Sequence, residues 1–433
     1  MRDLGRSDDP GVQAQLDRLA ALSLPQGRLG LETIRALLQR LGDPHDRLPP
    51  VFHVAGTNGK GSTCAFLRAM LEAQGHRVHV TTSPHLVRYN ERIRLAGRLI
   101  EDAALAELLA EVLDASEGLN PSFFEATIAA ALLAFAREPA DACVVEVGLG
   151  GRLDATNVIA RPAVCGIAAL GMDHERFLLA PEEGTPAEPL ARIAFEKAGV
   201  VKPGVPLVTL SYGAGEMAAI ADVAERVGAP WLAQNRDWTV CDLAASMFYR
   251  DDIGFEEGGL HLPLASLTGG HQLANAGLAI AMLRHQQAVP VGAEAVAKGL
   301  QAAHWPARLQ RLAKGPVLGG REVWLDGGHN RSAGEALARH FAGQRLHLVV
   351  GMIESKDPAA LTEPLKDSAT SVTVVPVPGQ EWHEAAAFGS QARFAGDVPA
   401  ALANLPPDGL PVLIAGSLYL AGEVLRLNGE VPD

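Results

Sequence analysis

Aromatic side chains are scarce, at 5% of the 433 residues, while Gly alone accounts for 45 positions and Ala is abundant. A core of small residues with close backbone approach is therefore expected. Positive charge is also short. The 37 Lys and Arg face 50 Asp and Glu, for a net charge of −13. Nucleic acid, whose phosphates need a basic face, is not an expected partner. Any phosphate chemistry must gather its cations locally. The four cysteines (Cys64, Cys143, Cys165, Cys241) show no C-x-x-C spacing. This argues against a metal cluster or disulfide framework and for reduced, mostly buried thiols. The most apolar run, Ile128–Ala136, is far shorter than the roughly 20 residues of a membrane span. The start of the chain, MRDLGRSDDPG, has no apolar signal core. A soluble cytoplasmic protein is the expectation, monomeric by default and without a membrane partner.

What is present is an alternation of apolar strand-like runs and helical patterns, which predicts an α/β fold. Strands are predicted at Val51–Ala55, Val78–Thr82 and Ala142–Val147, with helices at Ser62–Gln74 and Ser122–Ala136. Ser122 and Glu125 have capping-box spacing. The alternation restarts after Trp305, with strands at Val323–Leu325, His347–Val350, Ser371–Val375 and Pro411–Ala415. Helices are predicted at Ser332–Phe341 and Leu418–Leu427. A single core stops growing near roughly 250–300 residues. Two domains, 1–302 and 303–433, are therefore expected, with the boundary near Gln301–Pro306. Ligands of such sheets gather beyond the carboxyl ends of the strands.

The sharpest local signal is Val51-Phe-His-Val-Ala-Gly-Thr-Asn-Gly-Lys-Gly-Ser-Thr63. A buried strand runs through a glycine-bearing turn into a helix whose free N–H groups can cradle phosphates. Lys60 is placed to reach the β- and γ-phosphates, and a nearby hydroxyl to meet Mg²⁺. The strict P-loop pattern is not matched: Val54 stands where the first Gly belongs, and Gly61 separates Lys60 from Ser62. The bland alternative is a glycine-rich turn joining strand to helix.

GTNGKGST resembles the variant P-loop of the Mur ligase superfamily, in particular its folylpolyglutamate synthase/dihydrofolate synthase branch. The likeness continues, in family order, through Thr81-Thr-Ser-Pro-His-Leu-Val-Arg-Tyr-Asn-Glu-Arg92 and Glu146-Val-Gly-Leu-Gly-Gly-Arg-Leu-Asp-Ala-Thr-Asn157. It goes on through Gly270-His-Gln-Leu-Ala-Asn275, Trp305-Pro-Ala-Arg308, Asp326-Gly-Gly-His-Asn330 and Gly416-Ser-Leu-Tyr-Leu420. It implies an N-terminal P-loop-type ATPase domain with a mainly parallel sheet and a C-terminal Rossmann-like α/β domain. It also implies an ADP-forming ligase that adds L-glutamate to dihydropteroate and to folates through an acyl phosphate. The narrower alternatives are a folylpolyglutamate synthase only and a Mur-type peptidoglycan precursor ligase. A different class of alternative is a P-loop module that binds ATP without ligation.

Residue by residue, the resemblance implies that Thr57, Asn58, Gly59, Lys60, Gly61 and Ser62 bind phosphate. Asn275 falls on adenine, Arg308 on phosphate and Asp326 on the ribose. Ser83, Glu146 and His174 match metal positions, with two Mg²⁺ sites implied. Lys197 matches a lysine carried as a carbamate, and His329 a helper at the phosphate or the amine. Leu29, Ser122, Phe123, Phe124, Glu125, Leu153, Asp154 and Ala155 match pteroate contacts. Bland alternatives stand beside these: a turn residue for Ser83, a hydrogen-bonded loop histidine for His174, and a surface lysine near a helix end for Lys197. Phe123 and Phe124 can be core residues, and Ser122 with Glu125 no more than a helix cap. One departure from the family pattern is the long Arg176–Pro189 segment, rich in Pro and Glu, which is expected to form a surface excursion near the site.

Overall fold

Val51–Ala55 (β1) is buried at every position and lies inside an eight-stranded sheet. The other strands are Val78–Thr81 (β2), Ile93–Leu95 (β3), Arg98–Leu99 (β4), Ala142–Glu146 (β5), Val164–Ile167 (β6), Leu207–Thr209 (β7) and Trp231–Ala233 (β8). The order is β4-β3-β2-β5-β1-β6-β7-β8. The strands from β2 to β8 in this order run parallel, and β3 and β4 form an antiparallel edge. The computed structural model describes residues 5–22, 30–253, 258–313 and 315–432.

Side chains alternate across a strand, so each strand of this sheet feeds two cores. Phe52 and Val54 of β1, with Val144 of β5, pack beneath helices Lys60–Ala73 and His271–Arg284. Val51, Cys143 and Val145 face the other way, toward helices Asp102–Ala115 and Phe123–Arg137. Continuous apolar strands follow from burial on both faces, which is why they were readable.

A three-stranded antiparallel sheet of Trp238–Asp242 (β9), Ser246–Asp251 (β10) and Leu260–Pro263 (β11) follows, and it is absent from the predicted pattern. Trp238, Val240, Met247, Tyr249 and Leu262 join the core under helix His271–Arg284. Asp251 accepts from Tyr249 and Arg284 and pins the sheet to that helix.

The last sheet contains Gln310–Arg311 (β12), Val323–Leu325 (β13), Leu346–Val350 (β14), Ala369–Val374 (β15), Arg393–Phe394 (β16) and Val412–Ala415 (β17). Its order is β12-β13-β17-β14-β15-β16, with only β12 antiparallel. Val349, Val412 and Ile414 pack against helix Leu418–Asn428, and Leu348, Val350 and Leu413 against helix Arg331–His340. Predicted and observed element ends differ by one or two residues. The clearest shift is at the helix predicted from Ser62, which begins at Lys60 because Gly59, with φ of 82°, is its N-cap. Among the described residues no helix is long and apolar enough to cross a membrane. Cys64, Cys143 and Cys165 are buried free thiols, and Cys241 is an exposed one.

Candidate active site

The carboxyl ends of both large sheets open onto one cleft of about 1130 Å³. The first sheet contributes the turns after β1, β2, β5 and β6, and the last sheet those after β13, β14 and β17.

The turn after β1 is held by its own backbone. Thr57 and Asn58 donate N–H bonds of 2.8 and 3.1 Å to the Ala169 carbonyl, and Thr57 Oγ1 donates to Gly171 O at 3.0 Å. At Gly59 the left-handed backbone already disfavours a side chain. A Cβ there would also come within 2.3 Å of Asn275 Oδ1, and one on Gly61 would strike the Trp305 indole at 2.6 Å. Asn275 is 3% exposed and its amide donates to Gln272 Oε1. The loop and the helix bearing Asn275 are therefore one packed unit. Thr57 through Ser62 all line the cleft, and Lys60 Nζ folds back to 3.4 Å from Thr57 O.

Ser83, Glu146 and His174 line the same cleft. Glu146 is 5% exposed and accepts from the Ser83 N–H at 3.1 Å. Burial pushes its carboxyl above the usual range, against the pull of Lys60, Arg308 and Arg92. A desolvated carboxylate with few protein partners suits a hard cation. His174, at φ 53°, precedes the short helix Glu175–Leu178. Its side chain keeps 37% of its surface open, yet the desolvating cleft wall first, then the charges of Lys356, Lys60 and Lys197, lower its imidazole to about 4 despite Asp173, which favours the neutral form a ligand needs. Among the described residues no three His, Cys, Asp or Glu side chains form a ready-made metal cluster. An oxygen-rich set that includes Ser83 is compatible with that.

Lys197 is not the surface lysine of the bland alternative. It is 4% exposed, lies behind the phosphate loop, and donates to Gly56 O at 3.0 Å. Burial and the nearby Lys60 charge lower its ammonium to about 7.

From the last sheet come Arg308, Asp326 and His329. Asp326 accepts from the N–H groups of Leu309 and Gly328 at 2.8 and 2.7 Å and so fixes the turn that carries Arg308. His329 lies 3.6 Å from Asp173. Contacts that cross the cleft were not foreseen from the sequence. Asn58 and Asn330 exchange two 3.1 Å amide hydrogen bonds, and Asn58 also donates to Ser332. Lys356 pairs with Asp173. Burial opposes charge on Asp173, yet His329, His174 and Lys356 together hold it well below the usual carboxylate range. Arg92 and His271 also line the cleft. Asp173 adjoins His174, which was the one available signal.

At the other end of the cleft Ser122, Phe124, Glu125, Leu153, Asp154 and Ala155 come together. Phe124 lies across Gly148, where a Cβ would stand 2.3 Å from the ring. Phe123 must be corrected. It does not line the cleft but packs edge-on to Tyr89 at 6.1 Å, beneath the Arg92 guanidinium, because the next helical position points about 100° away. Ser122 and Glu125 do form the reciprocal cap, and they face the cleft as well. Asp154 accepts from Leu149 and Thr156, so it also holds its own loop. Leu29 lies outside the described residues. The 176–189 segment is largely exposed, as expected, apart from buried Leu178 and the half-buried Leu179, Glu182, Thr185 and Pro186.

No family model matches the chain. A folylpolyglutamate synthase of Lacticaseibacillus casei is 33% identical over 414 residues, covering 90% of this chain and 92% of the relative. The crystal structure of a bifunctional folylpolyglutamate synthase/dihydrofolate synthase from Yersinia pestis, complexed with AMPPNP and Mn ion, superimposes with a TM-score of 0.82. Its identity is 31%, over 96% of this chain and 97% of that one. The E. coli FolC structure in complex with DHPP and ADP gives 0.83 at 31% identity, covering 97% of each.

Proposed function

The chain belongs to the folylpolyglutamate synthase/dihydrofolate synthase family, and from this premise we propose that it joins L-glutamate to dihydropteroate and to folates in an ATP-dependent reaction. One observation carries this reading. The phosphate loop of one sheet and the Arg308–Asp326 turn pair of another face each other across a single cleft, whose far end is walled by Phe124 and Leu153–Ala155. A triphosphate and a flat acceptor fit that cleft end to end.

In this reading, Thr57, Asn58, Gly59, Gly61 and Ser62 cradle the phosphates, with Lys60 and Arg308 supplying positive charge. Asn275 meets the adenine edge and Asp326 the ribose hydroxyls. The acceptor carboxylate attacks the γ-phosphorus, ADP leaves, and an acyl phosphate forms. The glutamate amine then attacks the acyl carbon, and inorganic phosphate departs from the tetrahedral intermediate. Lys60 and Arg308 stabilise the charge that develops on transfer, by position rather than by covalent chemistry. His329, beside Asp173, is placed near the incoming amine. Ser83, Glu146 and His174 would hold a divalent cation such as Mg²⁺, which would supply the charge neutralisation that lets two anions approach. The depressed ammonium of Lys197 supports carbamylation, because its neutral amine can add CO₂ with loss of a proton. The carbamate would turn a cation into an anion behind the phosphate loop.

A division near Gln301–Pro306 is supported by the partition of the cores, since Ala303 still packs with the first sheet and Ala307 with the last, which moves the boundary a residue or more past 302. A cytoplasmic monomer is our reading of its setting.

Product mass spectrometry with Mg-ATP, L-glutamate and either 7,8-dihydropteroate or tetrahydrofolate tests the function. Addition of glutamate to both is expected. Addition to tetrahydrofolate alone restricts the enzyme to polyglutamylation. ATP consumption without any product returns it to the Mur-type or ATPase alternatives.

A further inference from the structure

Arg152 immediately precedes Leu153, Asp154 and Ala155, the loop that walls the acceptor end of the cleft. Its guanidinium is held from two sides. Glu196, on the helix of Lys197, accepts at 3.1 and 2.9 Å, and Glu182 accepts at 3.3 and 2.6 Å. Arg192 bonds the same two carboxylates, at 2.9 Å to Glu196 and 3.2 Å to Glu182, and its Nε donates to Leu178 O. Both guanidiniums also lie over the Phe195 ring.

Two cations and two carboxylates balance in a half-dry setting, where the side chains of Arg192 and Glu196 are 6% and 7% exposed. Only Glu182 is delivered by the 176–189 segment that departs from the family pattern. Thr185 donates to the Glu182 carbonyl at 2.6 Å and turns the segment back, and Leu178 packs over Gly150 just ahead of Arg152. Removing Glu182 leaves two guanidiniums on one buried carboxylate, and uncompensated charge in such a site is costly. Arg152 is the more exposed of the two and is the one free to swing out. Its backbone is bonded through the Arg152 N–H to Glu196 O at 2.7 Å, and Asn157 donates to its carbonyl. The guanidinium clamp and these two backbone bonds together tie the start of the acceptor loop to the helix of Lys197, and loss of the clamp leaves the backbone bonds alone to hold it.

We infer that Glu182 is a positioning residue for the acceptor, acting through Arg152 on Leu153 and Asp154. This deepens the proposed function and rests on its placement of the pteroate or folate ring beside that loop. The test compares wild type, Glu182→Gln, Glu182→Asp and the exposed neighbour Glu183→Gln, by steady-state kinetics with each acceptor and with ATP, alongside thermal melting. Glu182→Gln is expected to raise the acceptor KM roughly tenfold while the ATP KM stays within about twofold. Glu182→Asp is expected to recover part of the loss, and Glu183→Gln to behave as wild type. A Glu182→Gln protein that melts lower but keeps both KM values, or that loses acceptor and ATP affinity alike, would overturn the proposal. A wild-type enzyme that adds glutamate to neither acceptor would instead overturn the function on which it rests.

Discussion

The buried ammonium of Lys197 donates a 3.0 Å hydrogen bond to the carbonyl oxygen of Gly56, the residue that opens the phosphate loop. Behind that loop the lysine is short of solvent and faces the Lys60 charge, which together lower it to about 7 from 10.5. The folded protein thus sheds between about pH 7 and 10.5 a proton that the unfolded chain still holds, and stability rises with pH across that window.

Lys197→Met is expected to flatten that rise and to lift Tm at pH 7 by roughly 2 °C. Turnover should nevertheless fall by orders of magnitude, because the chemistry of the amine is gone. Calorimetry at several pH values checks the first point and product formation the second. For the wild type, activity should respond to added bicarbonate above pH 7 more than below it.

Lys60→Ala should cost about 10³-fold in kcat while leaving circular dichroism unchanged, since the residue touches little besides its own loop. Activity near wild type would sink the phosphate-loop assignment.

Gly59→Ala meets two obstacles at once, a left-handed backbone and Asn275 Oδ1. The strain is of order 1–3 kcal/mol. ATP affinity measured by titration calorimetry should drop far more than acceptor affinity, since the displaced neighbour is the proposed adenine contact.

Two adjacent phenylalanines separate packing from binding. Phe124→Ala should raise the acceptor KM with modest loss of stability. Phe123→Ala should leave that KM near wild type and lower stability by about 3 kcal/mol, since it empties the contact with Tyr89 and Arg92. Equal KM effects from both would contradict the placement of the two rings.

Glu146→Gln keeps the shape and removes the charge. The Mg²⁺ concentration for half-maximal activity is expected to increase roughly tenfold or more, and chelation with EDTA should abolish activity in the wild type.

The strands β1, β5 and β17 were legible because apolar runs buried on both faces leave an unbroken pattern in the chain. The sheet β9–β11 was not, because its strands are short and Asp251 puts a carboxylate at a buried position, where it is satisfied by Arg284, 33 residues away. The phosphate loop and Glu146 could be read locally, each at the end of a strand. Asn58 with Asn330, or Asp173 with Lys356, could not, since such pairs exist only once two sheets face each other. The choice between Phe123 and Phe124 needed the helix phase, which the capping box fixes in space and the residue types alone do not.

The proposed nucleotide site takes its loop and Asn275 from the half that holds the first sheet and Arg308 with Asp326 from the half that holds the last. Neither half can keep the site when the other melts. Bound nucleotide is consequently a thermodynamic rivet: it adds stability to both cores by the same binding free energy. Two overlapping heat-absorption peaks in the bare protein would then be drawn toward a single sharper one as nucleotide saturates.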